Sequence, residues 1–145
     1  MKKMFTSALA VFLVFSICIA PVANAATVSP KASQYLDSYS AYIYPSGSGN
    51  MSIYFDVSGV GTMDEIGALS IRLQQKPSGS STWTTVKSYS HTNYTNMLGY
   101  NKFYYGSSVS YSGISGYSYR AYITVWAGKN GSGDSRDILT AAVTA

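Results

Sequence analysis

The sequence predicts an all-β protein, an antiparallel β-sandwich of about seven strands carried behind a cleaved signal peptide. Three observations lead there. Apolar residues alternate with polar ones in short runs, and no stretch keeps a helical period for three turns. Gly, Ser, Asn and Pro interrupt these runs at short intervals, as turn residues between strands do. Residues 1–25, by contrast, form a basic start, an apolar stretch and a small-residue exit site.

Lys2 and Lys3 open the leader, Met4 to Ala20 is apolar, Pro21 breaks a helix, and Ala23-Asn24-Ala25 suits a signal peptidase. The expectation is a Sec-type signal peptide cut after Ala25, and a secreted, extracellular protein with no membrane anchor after cleavage. Cys18, the only cysteine, falls inside the leader, so the mature chain has no disulfide and must hold itself together by burial alone. Roughly 120 residues are enough for one domain with a single core. The expected division is 1–25 signal peptide, 26–37 an N-terminal lead and 38–145 the sandwich domain. Taking Lys2 and Lys3 from the 10 basic residues leaves 8 against 6 acidic ones, a mature net charge of +2. No run of like charges appears, which argues against nucleic acid or an anionic membrane as partner.

The strands follow in order. Ser38 to Pro45 leads into Pro45 to Asn50, "PSGSGN", a hairpin-type turn. Met51 to Val57 turns Met51, Ile53, Phe55 and Val57 to one face and Ser52, Tyr54 and Asp56 to the other. "TMDE", Thr62 to Glu65, fits a capping box and predicts one helical turn bridging to the third strand. That strand, Ala68 to Gln75, sends Leu69, Ile71 and Leu73 inward and Ser70, Arg72 and Gln74 outward. Lys76 to Thr82 is a second turn, followed by strands from Thr82 to Ser90 and from Lys102 to Tyr111. In the sixth, Tyr119 to Ala127, residues Tyr119, Ala121, Ile123, Val125 and Ala127 point inward, leaving Arg120, Tyr122, Thr124 and Trp126 outside. Ile138 to Thr144 completes seven strands, the size of an immunoglobulin-like sandwich.

The segment "YSGISGYSYRAYITVWAGKNGSGDSRDILTAAVTA" resembles the last two strands of a fibronectin type III or related immunoglobulin-like domain. The resemblance implies a tyrosine-corner residue whose hydroxyl bonds to backbone upstream, with Tyr119 and Tyr117 competing for the role. The mature chain, especially "YLDSYSAYIYPSGSG", "GTMDEIGALSIRL", "MLGYNKFYY" and "WAGKNGSGDSR", is also similar to a family of small secreted proteins from Gram-positive, Firmicutes-type bacteria. That family has no assigned function, so the likeness implies location and fold and carries over no catalytic residue.

Catalysis is poorly provisioned. His91 is the lone histidine, the mature chain lacks Cys, and no G-x-S-x-G elbow occurs. Zinc lacks ligands for the same reason. Asp56, Asp64, Glu65, Asp134 and Asp137 could in principle supply a glycosidase pair, but Asp64 and Glu65 are adjacent, and Asp134 and Asp137 read as solvated charge in the last loop. Asn130, Asp134 and Asp137 with backbone oxygens leave a weak calcium site open as a minor alternative, although their spacing does not match an EF-hand loop. No catalytic residue, metal or cofactor is expected.

What remains is an aromatic excess. The 14 tyrosines exceed what a core of this size hides, and Tyr54, Tyr122, Tyr42 and Tyr44 fall on outward positions together with Trp126. Tyrosine offers flat contact area and a hydrogen-bonding tip at little entropic cost, which suits a binding surface. The competing explanation is that cross-strand tyrosine pairs stabilise the sheet. The expected function is a non-enzymatic binding module for an extracellular glycan or cell-surface protein, with contacts at Arg120, Tyr122, Trp126 and Tyr54. Two rivals stand beside it: a self-associating protein of the extracellular matrix, and a small hydrolase or effector using loop carboxylates.

Overall fold

The structure, a computed structural model, describes residues 33–145. The expected signal peptide, its exit site and the lead as far as Ala32 lie outside the described residues.

One very long strand organises the chain. β1 (Leu36–Gly47) turns into β2 (Asn50–Lys76), which runs for 27 residues. There follow β3 (Thr84–Ser90), a 3-10 turn (Thr95–Met97), β4 (Leu98–Ser112), β5 (Ser118–Lys129), β6 (Ser132–Leu139) and β7 (Val143–Thr144). Every pairing is antiparallel, in one seven-stranded sheet. β2 changes partners along its length. Its first part, to Gly59, lies between β1 and β4; from Glu65 onward β5 takes the side that β1 held, and from Ser70 β3 succeeds β4. Inward side chains of both parts, Phe55 and Val57 from the first and Ile71 and Leu73 from the second, meet in one core with Ile123 and Val125 of β5. The sheet therefore curls over on itself.

Local chemistry explains the tight connections. Ser48 and Gly49 between β1 and β2, and Asn130 and Gly131 between β5 and β6, all have positive φ, the two-residue turn geometry that matches the twist of a hairpin. β5 alternates as its sequence predicts: Tyr119, Ala121, Ile123, Val125 and Ala127 are fully buried, and Arg120, Tyr122, Thr124 and Trp126 are half-buried on the opposite face.

Three expectations need correction. No helical turn starts at Thr62; the second and third predicted strands are one, with a broad irregularity against β4 between Ser58 and Met63. Met63 is buried beneath Gly59, so the alternation continues through Thr62 and Asp64 and overrides the local capping pattern. Leu69 is half-buried rather than inside, because it sits at a bulge between Ala68 and Ser70. The last predicted strand begins six residues early, at Ser132, so Asp134 and Asp137 belong to β6 and not to a loop; it breaks at Thr140, whose hydroxyl accepts the Ala121 N–H at 3.0 Å. Among the described residues no helix is long and apolar enough to cross a membrane.

Candidate functional site

The outward side chains of β5 lie beside those of β2 and β6. Register places Arg72 opposite Tyr122 and Tyr122 opposite Leu139, with Gln74 opposite Arg120 and Thr124 opposite Asp137. The Arg72 guanidinium stands 5.4 Å from the Tyr122 ring centre. Arg120 stands 4.4 Å from the ring of Trp83, the residue immediately before β3, and donates from Nε to Gln74 Oε1 at 2.8 Å. Lys76 reaches the same indole at 5.2 Å. Each such cation over an aromatic face contributes about 0.5–1 kcal/mol at an exposed site. The result is a ladder of rings and cations across two neighbouring strands and the loop before β3.

Of the four residues singled out from sequence, Arg120, Tyr122 and Trp126 share this face. Trp126 is less open than expected. Its indole lies across Gly128 and Gly133, where an added Cβ would meet the ring, and its Nε1 is buried without a hydrogen-bond partner among the described residues. Its rim borders a cleft of about 320 Å³ that Asp64, Glu65, Lys129 and Ser132 also line. Tyr54 is not brought to the other three. It projects from the first part of β2 and stacks on Tyr42 of β1, centres 5.1 Å apart and planes 13° from parallel. On that part of the surface Asp56 accepts the Tyr104 hydroxyl at 2.6 Å and the Ser40 hydroxyl at 3.3 Å. The hydrogen bond to Asp56, and the negative charge behind it, hold the Tyr104 phenol above its ordinary pKa.

The carboxylates are engaged separately. Asp134 Oδ2 accepts the Ser33 hydroxyl at 2.6 Å and the N–H groups of Gln34 and Tyr35 at 2.8 and 3.1 Å, which fastens the start of β1 to β6. These bonds, the Ser33 hydroxyl foremost, lower its pKa. Asp137 accepts the Thr124 hydroxyl at 2.7 Å, and Asp64 accepts the Asn130 N–H at 2.7 Å. Among the described residues no three His, Cys, Asp or Glu side chains gather as a metal site, and Asn130, Asp134 and Asp137 are each spent on different partners.

Sequence reading missed Trp83, Lys76 and the Arg72–Tyr122 contact. The outward parity of Arg72 and Tyr122 was visible, but their pairing depends on register across the bulge at Leu69. It also missed a groove of about 480 Å³ between β3 and β4, where Lys87, Tyr89, Tyr94, Asn96 and Tyr111 surround the β4 backbone. Tyr89 is buried there and donates its hydroxyl to the Ser110 carbonyl at 2.9 Å. Burial, with the neighbouring Tyr94 and Tyr111, pushes its pKa up to about 12.

Neither a family model nor a curated protein matches this sequence. Among solved structures, a family 76 glycoside hydrolase from a bovine Bacteroides thetaiotaomicron strain is similar over 74% of this chain and 20% of its own, at 16% identity and a TM-score of 0.32. A protein from Archaeoglobus fulgidus is similar over 76% of this chain and 97% of its own, at 12% identity and a TM-score of 0.26. The chain thus spans a fifth of the hydrolase, and superpositions this loose carry no argument about fold or activity.

Proposed function

We propose that this chain is a secreted, non-enzymatic binding module with an immunoglobulin-like sandwich fold, recognising an extended extracellular glycan or a segment of a cell-surface protein. The observation that carries the reading is the ladder in which Arg72 covers Tyr122 while Arg120 and Lys76 cover Trp83. Rings fixed by cations on a regular sheet are pre-ordered, so a ligand laid on them costs little side-chain entropy. The sandwich reading is supported by the partition of partners along β2, with β1 and β4 flanking its first part and β3 and β5 its second. Export is supported by the leader ending at Ala25.

The test is a glycan array and a surface-protein pull-down with parent protein and the double variant Tyr122→Ala, Trp83→Ala. Each ring contributes on the order of 1 kcal/mol or more of contact energy, so the pair is expected to weaken binding at least about tenfold. A folded double variant that binds like the parent sinks the assignment. Intact mass of the exported protein is expected to place its first residue at Ala26.

A second reading, self-association, rests on β1, which pairs with β2 alone among the described residues and displays Tyr42 and Tyr44, 50% and 61% exposed. Concentration-dependent sedimentation that Tyr44→Lys abolishes would favour it.

A further inference from the structure

We infer that the ligand of the β5 face is an acidic glycan, an extended saccharide that presents carboxylate or phosphate groups. The inference rests on the binding-module reading and adds the ligand's charge and polymer class.

Three cations, Arg72, Lys76 and Arg120, project from this one face, and two of them share the single ring of Trp83. Like charges held on one ring repel, and the arrangement lacks a neutralising partner: among the described residues, none of the three forms an ion pair with a carboxylate. Asp137 is the acid closest in register, one row beyond Tyr122, and its Oδ1 is occupied by the Thr124 hydroxyl. Asp37 and Asp56 belong to β1 and the first part of β2, away from this ladder. Arg72 and Lys76 share one face of β2, and the β2–β5 register brings Arg120, distant in the chain, beside them.

The guanidinium chemistry narrows the ligand. Arg120 uses Nε on Gln74, which leaves its terminal nitrogens for a two-oxygen anion, and stacking on Trp83 has already covered one of its faces. Arg72 stands one same-face step from Gln74, the partner of Arg120, so the two forks are spaced about 7 Å along the strands. Charge repeated at short intervals beside partly covered ring faces suits a saccharide chain. A single-stranded nucleic acid asks for a longer cationic track and fully open stacking platforms, whereas Tyr122 and Trp83 are half-buried.

Four polymers decide the matter by calorimetric titration at low and high salt: polygalacturonate, a phosphorylated mannan, uncharged dextran and an oligothymidylate. Expected are binding to at least one of the two acidic glycans, no binding to dextran, and loss of affinity as salt rises. Whichever acidic polymer binds more tightly identifies the anion. Arg72→Gln with Arg120→Gln should cost at least about tenfold in affinity. Arg120→Lys, which keeps charge and stem, should still lose most of that if the contact is bidentate. Equal binding of dextran with unaffected arginine variants overturns the acidic class while the binding face stands. Oligothymidylate bound as tightly as either glycan overturns the glycan. No binding to any glycan, together with an indifferent Tyr122→Ala, Trp83→Ala variant on the array, removes the binding-module reading itself.

Discussion

The phenolic oxygen of Tyr119 accepts the backbone N–H of Ile114, five residues upstream, at 2.8 Å, while its ring lies wholly inside the core. The same hydroxyl donates to Gln75 Oε1 at 3.3 Å, so one side chain ties the β4–β5 loop to the end of β2. Gly113 is glycine for a related reason, since a Cβ there would meet this hydroxyl. Of the two tyrosines, it is Tyr119, not the half-buried Tyr117, that makes this bond to upstream backbone. Tyr119→Phe is expected to lower stability by about 1 kcal/mol through the lost hydrogen bond, and Tyr117→Phe by less than about 0.5 kcal/mol. Urea denaturation of both variants measures the difference; equal effects would remove the distinction.

Gly67 has φ +146°, and a Cβ built there would collide with the Met97 carbonyl oxygen, a backbone atom that cannot swing aside. Gly67→Ala should destabilise by more than about 2 kcal/mol. Gly61→Ala, at a site with open space around it, should stay within about 0.5 kcal/mol of the parent. Thermal melts of the two variants test the pair.

Asp134 makes the start of β1 sensitive to acid. Its pKa is lowered from the ordinary 3.8, so the clasp on Ser33, Gln34 and Tyr35 is fully present above that value. It weakens as pH falls through the lowered pKa, because protonation removes the charge that the three donors face. Amide resonances of Gln34 and Tyr35 should move together below about pH 4. Asp134→Asn should abolish that shared titration; its persistence would assign it to another group.

Trp126 reports on the β5–β6 hairpin. A methyl at Gly133 would occupy the place of the indole, so Gly133→Ala should lever the ring into solvent. In a Trp83→Phe background, emission should shift to longer wavelength. An unmoved spectrum would show that the hairpin backbone yields instead of the ring.

How much of this was legible in the sequence depended on whether a feature needed one strand or several. The faces of β5 could be read directly, because period-two alternation over an unbroken strand needs no knowledge of neighbours. Thr62 misled because a capping pattern and a continuing strand are locally indistinguishable; the burial of Met63 decides between them. Parity puts Tyr54 and Tyr122 alike on the outside, because it tells inside from outside and is silent on which part of a curled sheet a residue occupies. The Trp83–Arg120 contact and the tyrosine groove were out of reach, since each joins segments that only the ladder register brings together.

Asp134 holds Ser33 at one end of the molecule, while Ala145 is fastened at the other, its N–H to the Tyr117 carbonyl at 3.0 Å and its carbonyl to the Gly116 N–H at 2.7 Å. Asp134 pairs with Ala127 near one end of β5, and Tyr117 immediately precedes the other. Pulled between Ser33 and Ala145, the molecule is loaded along its strands. At the Ser33 end that load falls on the ten paired rows of the β1–β2 ladder, and at the Ala145 end on the two rows of β7. A load between those two points would thus meet strands in shear, a geometry in which ladder bonds share the force instead of unzipping in turn.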